Sequence, residues 1–292
     1  MTTDAVGSPE GPLPRGLRWR GEPTWWLAVG ALLAGAWAVW ELRLWPQQLI
    51  PHGGGWSMVG EFLAAAWRPA LDYQAASVPA NTPPLLWKAV SAAGTTVVFA
   101  AAAMSLALVA GLVLGWAASR GADLEGTLSL RARFAYGSAR TLIAAMRSVH
   151  ELLWAVLFLA AFGLSNLSAV FAIAIPYAGT LAKVFSEMLD EAPRDAGEAL
   201  RQAGAAPSSV FLFGLLPRAL PDMGAYAFYR FECALRSSAV LGFFGYPTLG
   251  YFLAASFENL HFREVWTYLY TLLVLIVVVD LWSGVLRRRL VS

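Results

Sequence analysis

Long apolar runs with no charge in them constrain this chain more than any other feature. No Asp, Glu, Lys or Arg occurs at residues 23–40, 89–119 or 152–182. A helix rises about 1.5 Å per residue, so about 20 apolar residues cross the roughly 30 Å of bilayer hydrocarbon. Such runs belong in lipid. The composition agrees, with 58% of the 292 residues apolar and 14% charged. Soluble domains carry roughly 25% charged residues. The hydrophobicity excludes a disordered chain. A single Cys excludes a disulfide framework and a Cys-based zinc site. A net charge of +2 is too small to suggest a nucleic-acid partner.

The fold class is therefore an all-α integral membrane protein with about six transmembrane helices. Span 1 covers 23–40 and span 2 covers 89–119. The run at 152–182 is too long for one crossing and breaks at Gly163-Leu164-Ser165-Asn166, a cluster of turn formers. Span 3 is expected at 139–162, carrying Arg147, His150 and Glu151, and span 4 at 167–186. Span 5 at 219–244 holds Arg230, Glu232 and Arg236, and span 6 lies at 264–286.

Basic residues orient these spans. With the N-terminus in the cytoplasm, fourteen of the 21 Lys and Arg fall on cytoplasmic segments. Arg43, Arg68, Lys88 and Arg263 fall outside, and Arg147, Arg230 and Arg236 lie within spans. This bias places both termini and the 183–218 loop in the cytoplasm. The residues before span 1 are rich in Pro, Gly and Arg and lack an A-x-A-like site, so a disordered tail is expected rather than a cleaved signal. Phe62, Leu63, Ala66 and Trp67 stand at helical spacing in the outer segment, which predicts a short helix over 58–67 lying in the interface that Trp favours. A plain outer loop is the alternative. Residues 1–88 then form the tail, first span and outer segment, and 89–292 form the core.

The cytoplasmic stretch after span 4 is the most informative. Asp195, Glu198, Leu200, Ala203 and Val210 suit a short amphipathic helix, Gly204 a sharp turn, and Pro207-Ser208 the start of a second helix. The order Glu198-Ala199-Leu200, then Gly204, then Leu216-Pro217 resembles the coupling loop of ABC importer permeases. Leu200 stands where that pattern usually has Ala, and Gly214 where it has Ile. A second likeness narrows the subfamily. Arg147-Ser148-Val149-His150-Glu151-Leu152-Leu153-Trp154-Ala155 and Tyr229-Arg230-Phe231-Glu232, with Arg236 and Val240-Leu241-Gly242, resemble stretches of phosphonate-type permeases. His150 stands where that family has Pro, and Gly245-Tyr246-Pro247-Thr248-Leu249-Gly250 replaces a more glycine-rich segment.

The resemblance implies a type I-like importer permease fold in a bacterial inner membrane. It implies a second permease copy, two ATPase subunits that each receive one 190–217 loop, and an external substrate-binding protein. ATP and Mg would be held by the ATPase subunits, with no cofactor in this chain. The substrate it implies is phosphonate or a related oxyanion such as phosphite, hypophosphite or phosphate. The shared coupling loop leaves an amino acid or betaine importer as the alternative.

Ionisable residues within spans should face the bundle interior or water. Arg147 and Glu151 are four apart, as are Glu232 and Arg236, so each pair is expected to neutralise itself on one helix face. That leaves Arg230 as a free positive charge unless it meets Glu151 or Glu232. Two readings stand: a path for an oxyanion, to which Arg is suited, or an interhelical ion-pair cluster joining spans 3 and 5. Gly111 and Gly115 form a GxxxG suited to close helix packing. Asp280 is placed to reach Arg287 or the interface, and the 245–263 segment reads as a re-entrant gate or a docking surface.

Several activities lack their residues. His150-Glu151 is not followed by a second His, since Trp occupies position 154, so no zinc protease motif forms. No Gly-x-x-x-x-Gly-Lys-[Ser/Thr] or Gly-x-Ser-x-Gly occurs. No internal repeat of the kind secondary transporters carry is evident. No catalytic or metal-binding residue is expected.

Overall fold

The computed structural model describes residues 24–44, 53–75, 78–79, 81–119 and 130–291. The expected tail falls on residues 1–23, outside the described residues. Among the described residues the regular structure is entirely helical. Residues up to Gly60 and those from Glu61 onward form two compact units. In the first, α1 (Thr24–Glu41) is apolar on every side, with Trp25, Trp26, Trp37 and Trp40 exposed. That pattern suits a helix surrounded by lipid. α2 (Gly55–Ala66) starts in this unit and falls close to the helix expected over 58–67.

The second unit is organised around α3 (Leu85–Ala117), which packs most extensively on α6 (Asn166–Glu191). The buried face of α3 is a line of small residues: Ala92, Ala93, Ala100, Ala103, Ala107, Gly111 and Gly115. A Cβ on Gly111 would stand 2.8 Å from the Leu181 Cβ, and one on Gly115 would stand 3.1 Å from the Phe185 Cβ. Lipid tails are as apolar as Leu, so helices in a bilayer associate by close contact rather than by hydrophobic expulsion. Small residues here permit that contact.

α3, α6 and α11 (Phe262–Val291) are each long and apolar enough to cross a membrane unbroken. Two bent pairs pass the same test together. One is α4 (Leu130–Ser148) with α5 (Glu151–Phe162), bent by 90°. The other joins residues 210–244 to α10 (Leu249–Glu258) with a bend of 46°. α7 (Asp195–Gln202) and a single turn, α8 (Pro207–Ser209), precede π-helical Val210–Leu215 and then α9 (Leu216–Val240).

Each apolar run of the sequence thus corresponds to a helix or a bent pair, with one correction. The third span is not a straight helix over 139–162. His150 adopts extended backbone angles, and its Nδ1 accepts from the Leu152 amide at 3.3 Å, capping a new helix. Gly163, at φ +67, ends α5 where turn formers cluster, and Ser165 caps α6.

On the side of the bundle opposite α7, the chain is stitched to the start of α11. Trp266 Nε1 donates to the Phe62 carbonyl (2.7 Å), Tyr270 to that of Ala66 (2.8 Å) and Thr267 to that of Ala70. Glu264, 5% exposed, accepts from the Gln74 amide and Ser256 Oγ. The Tyr73 hydroxyl donates to the Pro83 carbonyl, and burial and the Glu264 carboxylate raise its pKa above the ordinary value. α10, within the segment read as gate or docking surface, packs on α11.

Gly111→Leu is expected to force α3 from α6 and destabilise the fold by about 1–3 kcal/mol. Gly94→Ala, on the same helix with nothing within 4 Å of the added carbon, is expected to be neutral or slightly stabilising. Thermal unfolding of the two purified variants in detergent would check the contrast.

Candidate functional site

α9 carries polar residues on two faces, and they meet different partners. Tyr226, Tyr229, Arg230, Cys233, Arg236 and Ser237 follow the three- and four-residue spacing of one helix face. Arg230 Nε donates to the Tyr226 hydroxyl at 2.8 Å. Its guanidinium lies 5.4 Å from the centre of the Tyr226 ring and 6.0 Å from that of Tyr177 on α6. Tyr177 Oη and Ser237 Oγ share a hydrogen bond of 3.0 Å, and Ser237 Oγ donates to Glu151 Oε1 at 2.8 Å. Arg236 reaches Cys233 Sγ at 3.8 Å. These contacts join α5, α6 and α9 in one polar stripe.

Glu232 is turned away from that stripe. It is 8% exposed, pairs with Arg287 of α11 at 3.2 Å, and accepts from Ser283 Oγ. Arg287 also meets Asp280 at 3.6 Å, the contact its sequence position suggested. The pairing expected between Glu232 and Arg236 is therefore not made, because Glu232 belongs to the α11 contact. The pairing expected between Arg147 and Glu151 is not made either. The break at His150 puts the two on separate helices, so their four-residue spacing no longer describes one face. Arg147, near the end of α4, packs its stem close to Gly179 of α6. His150 Nε2 lies 3.9 Å from Glu151 Oε2.

Arg230 is left as the free positive charge that the sequence allowed. Among the described residues it forms no ion pair with Glu151, Glu232 or any other carboxylate. A phenol and two ring faces stand in for one. Tyr177 and Ser237 were missed as site residues in the sequence. Continuing the spacing of Arg230 and Cys233 by four would have found Ser237. Tyr177 follows Pro176 in the uncharged first part of α6, and no pattern within its own span marks it.

The second candidate region is the loop after α6. The first turn of α7 carries Asp195 and Glu198, which favour its N-terminal dipole. The underside of α7 sits on the π-helical turn, where a Cβ on Gly214 would stand 2.9 Å from the Gly197 Cα. This close approach accounts for Gly where the importer pattern has Ile. Gly204 has φ +83, a conformation that costs other residues strain, and nothing crowds it. Arg218 braces Asp195 at 3.4 Å. Glu198, Ala199, Gly204 and Pro217 are exposed, and Leu200 and Leu216 are half-buried. The arrangement is a rigid polar knob suited to fitting a partner surface.

A helical membrane bundle with an internal polar stripe and an ordered knob at one end is built as a transport permease. Residues 111–292 match the family described as the binding-protein-dependent transport system inner membrane component, and the chain belongs to that family. It is the permease subunit of an ABC importer, a multi-pass protein of the inner membrane. The phosphite transport system permease protein PtxC of Stutzerimonas stutzeri is 33% identical over 194 residues, covering 66% of this chain and 68% of that protein. The phosphate-import permease protein PhnE of Mycolicibacterium smegmatis is 29% identical over 214 residues, covering 73% of this chain but 39% of that longer protein. Among solved structures, an inward-facing MetNI methionine ABC transporter shares the fold, with a TM-score of 0.60 at 20% identity over 70% of this chain and 96% of that one.

Breaking the Glu232–Arg287 pair is expected to be costly. Arg287→Met strands a buried carboxylate and is expected to destabilise the fold by about 3–5 kcal/mol. The double variant Glu232→Gln, Arg287→Met removes both charges and is expected to recover most of that loss. A double-mutant cycle read by thermal unfolding would test the coupling.

Proposed function

We propose that this permease conducts a phosphorus oxyanion, phosphonate or the related phosphite, hypophosphite or phosphate, along the Tyr226–Ser237 stripe. The observation that carries the reading is Arg230, a half-buried guanidinium with no carboxylate partner among the described residues. A cation in that setting is compensated by a passing anion, and Arg offers paired donors that fit phosphorus-bound oxygens. The names of the related permeases support the same class of substrate. The ion-pair reading of the intramembrane charges is assigned to Glu232 alone, which joins α9 to α11.

The working unit in this proposal holds two copies of the chain around a central path. Two ATPase subunits, which carry ATP and Mg, each receive one 190–217 loop, with Glu198 and Gly204 holding it in place. A substrate-binding protein delivers the anion on the outer face. Both termini lie in the cytoplasm with the loop, and the surrounding lipid covers α1 and the exposed apolar faces. ATP binding draws the ATPase subunits together, and the loops pass that movement to the spans.

Gly204→Asp is expected to abolish uptake in cells while the permease remains inserted at normal abundance. Persistent uptake would contradict the loop assignment. Arg230→Ala is expected to lower uptake by roughly ten- to a hundredfold, the weight of a charge-assisted hydrogen bond of about 1.5–3 kcal/mol. Stimulation of ATP hydrolysis in the purified complex by phosphite, phosphonate, hypophosphite or phosphate, and not by amino acids, tests the substrate class.

A further inference from the structure

We infer that Glu151 sets the charge of the ion that the pathway accepts, favouring singly charged phosphorus oxyanions over doubly charged ones. The inference rests on the anion reading of the stripe. Glu151 starts α5, yet its carboxylate is fastened to α9 by the Ser237 hydroxyl at 2.8 Å. The same hydroxyl meets Tyr177, whose ring lies beside the Arg230 guanidinium. One fixed negative charge therefore stands on the stripe that carries Arg230 and Arg236. His150 does not cancel it. Its Nδ1 accepts the Leu152 amide, so a neutral ring keeps its proton on Nε2, 3.9 Å from Glu151 Oε2. The Ser237 hydroxyl faces Glu151 directly, Tyr177 stands behind it as the partner of Ser237, and Arg147 lies beyond the helix break.

Two energies decide which ion enters. Attraction to the arginines grows in proportion to the charge of the ion. The cost of stripping its water grows as the square of that charge, as for any ion moved into a low dielectric. A strongly positive path therefore favours dianions, and a weakly positive one favours monoanions. The Glu151 carboxylate lowers the potential made by the arginines and moves the path toward the second regime. Glu151→Gln keeps an acceptor for Ser237 and nearly the same shape while removing the charge. If it speeds a monoanion by some factor, it speeds a dianion by about the square of that factor. At a separation of about 10 Å and an effective dielectric of about 20, the factor is roughly tenfold.

The test uses the whole complex, with ATPase and binding protein, in proteoliposomes at mildly alkaline pH. There hypophosphite is a monoanion, and phosphite and phosphate are dianions. Each ion is supplied at a concentration that saturates the binding protein, and maximal uptake is measured. Glu151→Gln is expected to raise the phosphite-to-hypophosphite and phosphate-to-hypophosphite ratios roughly tenfold, while Glu151→Asp keeps the wild-type ratios. Unchanged ratios, or an equal loss for all three ions, would overturn the inference and leave Glu151 as a brace between α5 and α9. Uptake of none of these three ions, nor of a phosphonate, by the wild-type complex would instead overturn the substrate reading, and this inference with it. A variant that fails to assemble does not end the test, because Cys233 lies half-buried on the same stripe. In the wild type, a singly charged anionic thiol reagent is expected to modify Cys233 faster than a doubly charged reagent of equal intrinsic reactivity. Equal rates would overturn the inference.

Discussion

A charge carried into hydrocarbon has to be paired, solvated or put to use, and α9 combines the first outcome with the last. Its buried carboxylate, Glu232, is turned to α11 and neutralised by Arg287, which ties two long helices together. Its half-buried guanidinium, Arg230, is turned the other way, toward Tyr226 and Tyr177. Phenols and ring faces soften the cost of a buried cation without cancelling it. One helix thus separates a bond that holds the bundle from a charge left available, and a turn of about 200° between adjacent even positions is enough to do so.

The tight α3–α6 contact keeps that available charge in place. Gly111 and Gly115 bring the two backbones together at Leu181 and Phe185, one and two turns beyond Tyr177 on α6. Tyr177 is the group that spans from Ser237 to Arg230. The small-residue seam therefore acts on the polar stripe through α6. Ser238 and Thr96 do the same from α9 to α3, with a buried hydrogen bond of 2.8 Å. Packing, on α3, α6 and α9, and chemistry, on α5, α6 and α9, thus share two helices.

Much of this was legible in the sequence, and what was not has a local cause. Apolar runs, uncharged at 23–40, 89–119 and 152–182, marked the spans because hydrocarbon tolerates few charges. The positive φ of Gly204 and the helix at 195–202 were readable because turn formers and an amphipathic period punctuate the loop. Charge pairing was legible only for Asp280 and Arg287. The rule that residues four apart share a face failed for Arg147 and Glu151 because His150 ends one helix and caps the next. It failed for Glu232 and Arg236 because the better partner, Arg287, is far along the chain. Long-range partners such as Tyr177 and Ser237 carry no charge and leave no trace in composition.

A continuous backbone joins the loop to the stripe. The π-helical turn that supports α7 runs without interruption into α9, and Gly197 against Gly214 leaves little room for α7 to shift alone. Arg230 stands 13 residues after Pro217 on that helix, a rise of about 20 Å. Pro221 removes one backbone hydrogen bond on the way and gives the helix a place to flex. In the proposed cycle, force applied at Glu198 and Gly204 reaches Arg230 along a single stretch of backbone. Because Tyr177 and Glu151 are held by other helices, that movement would alter the spacing between the cation and the carboxylate. The affinity of the stripe for an anion would then change in step with the ATPase, which is what an importer needs in order to release its cargo.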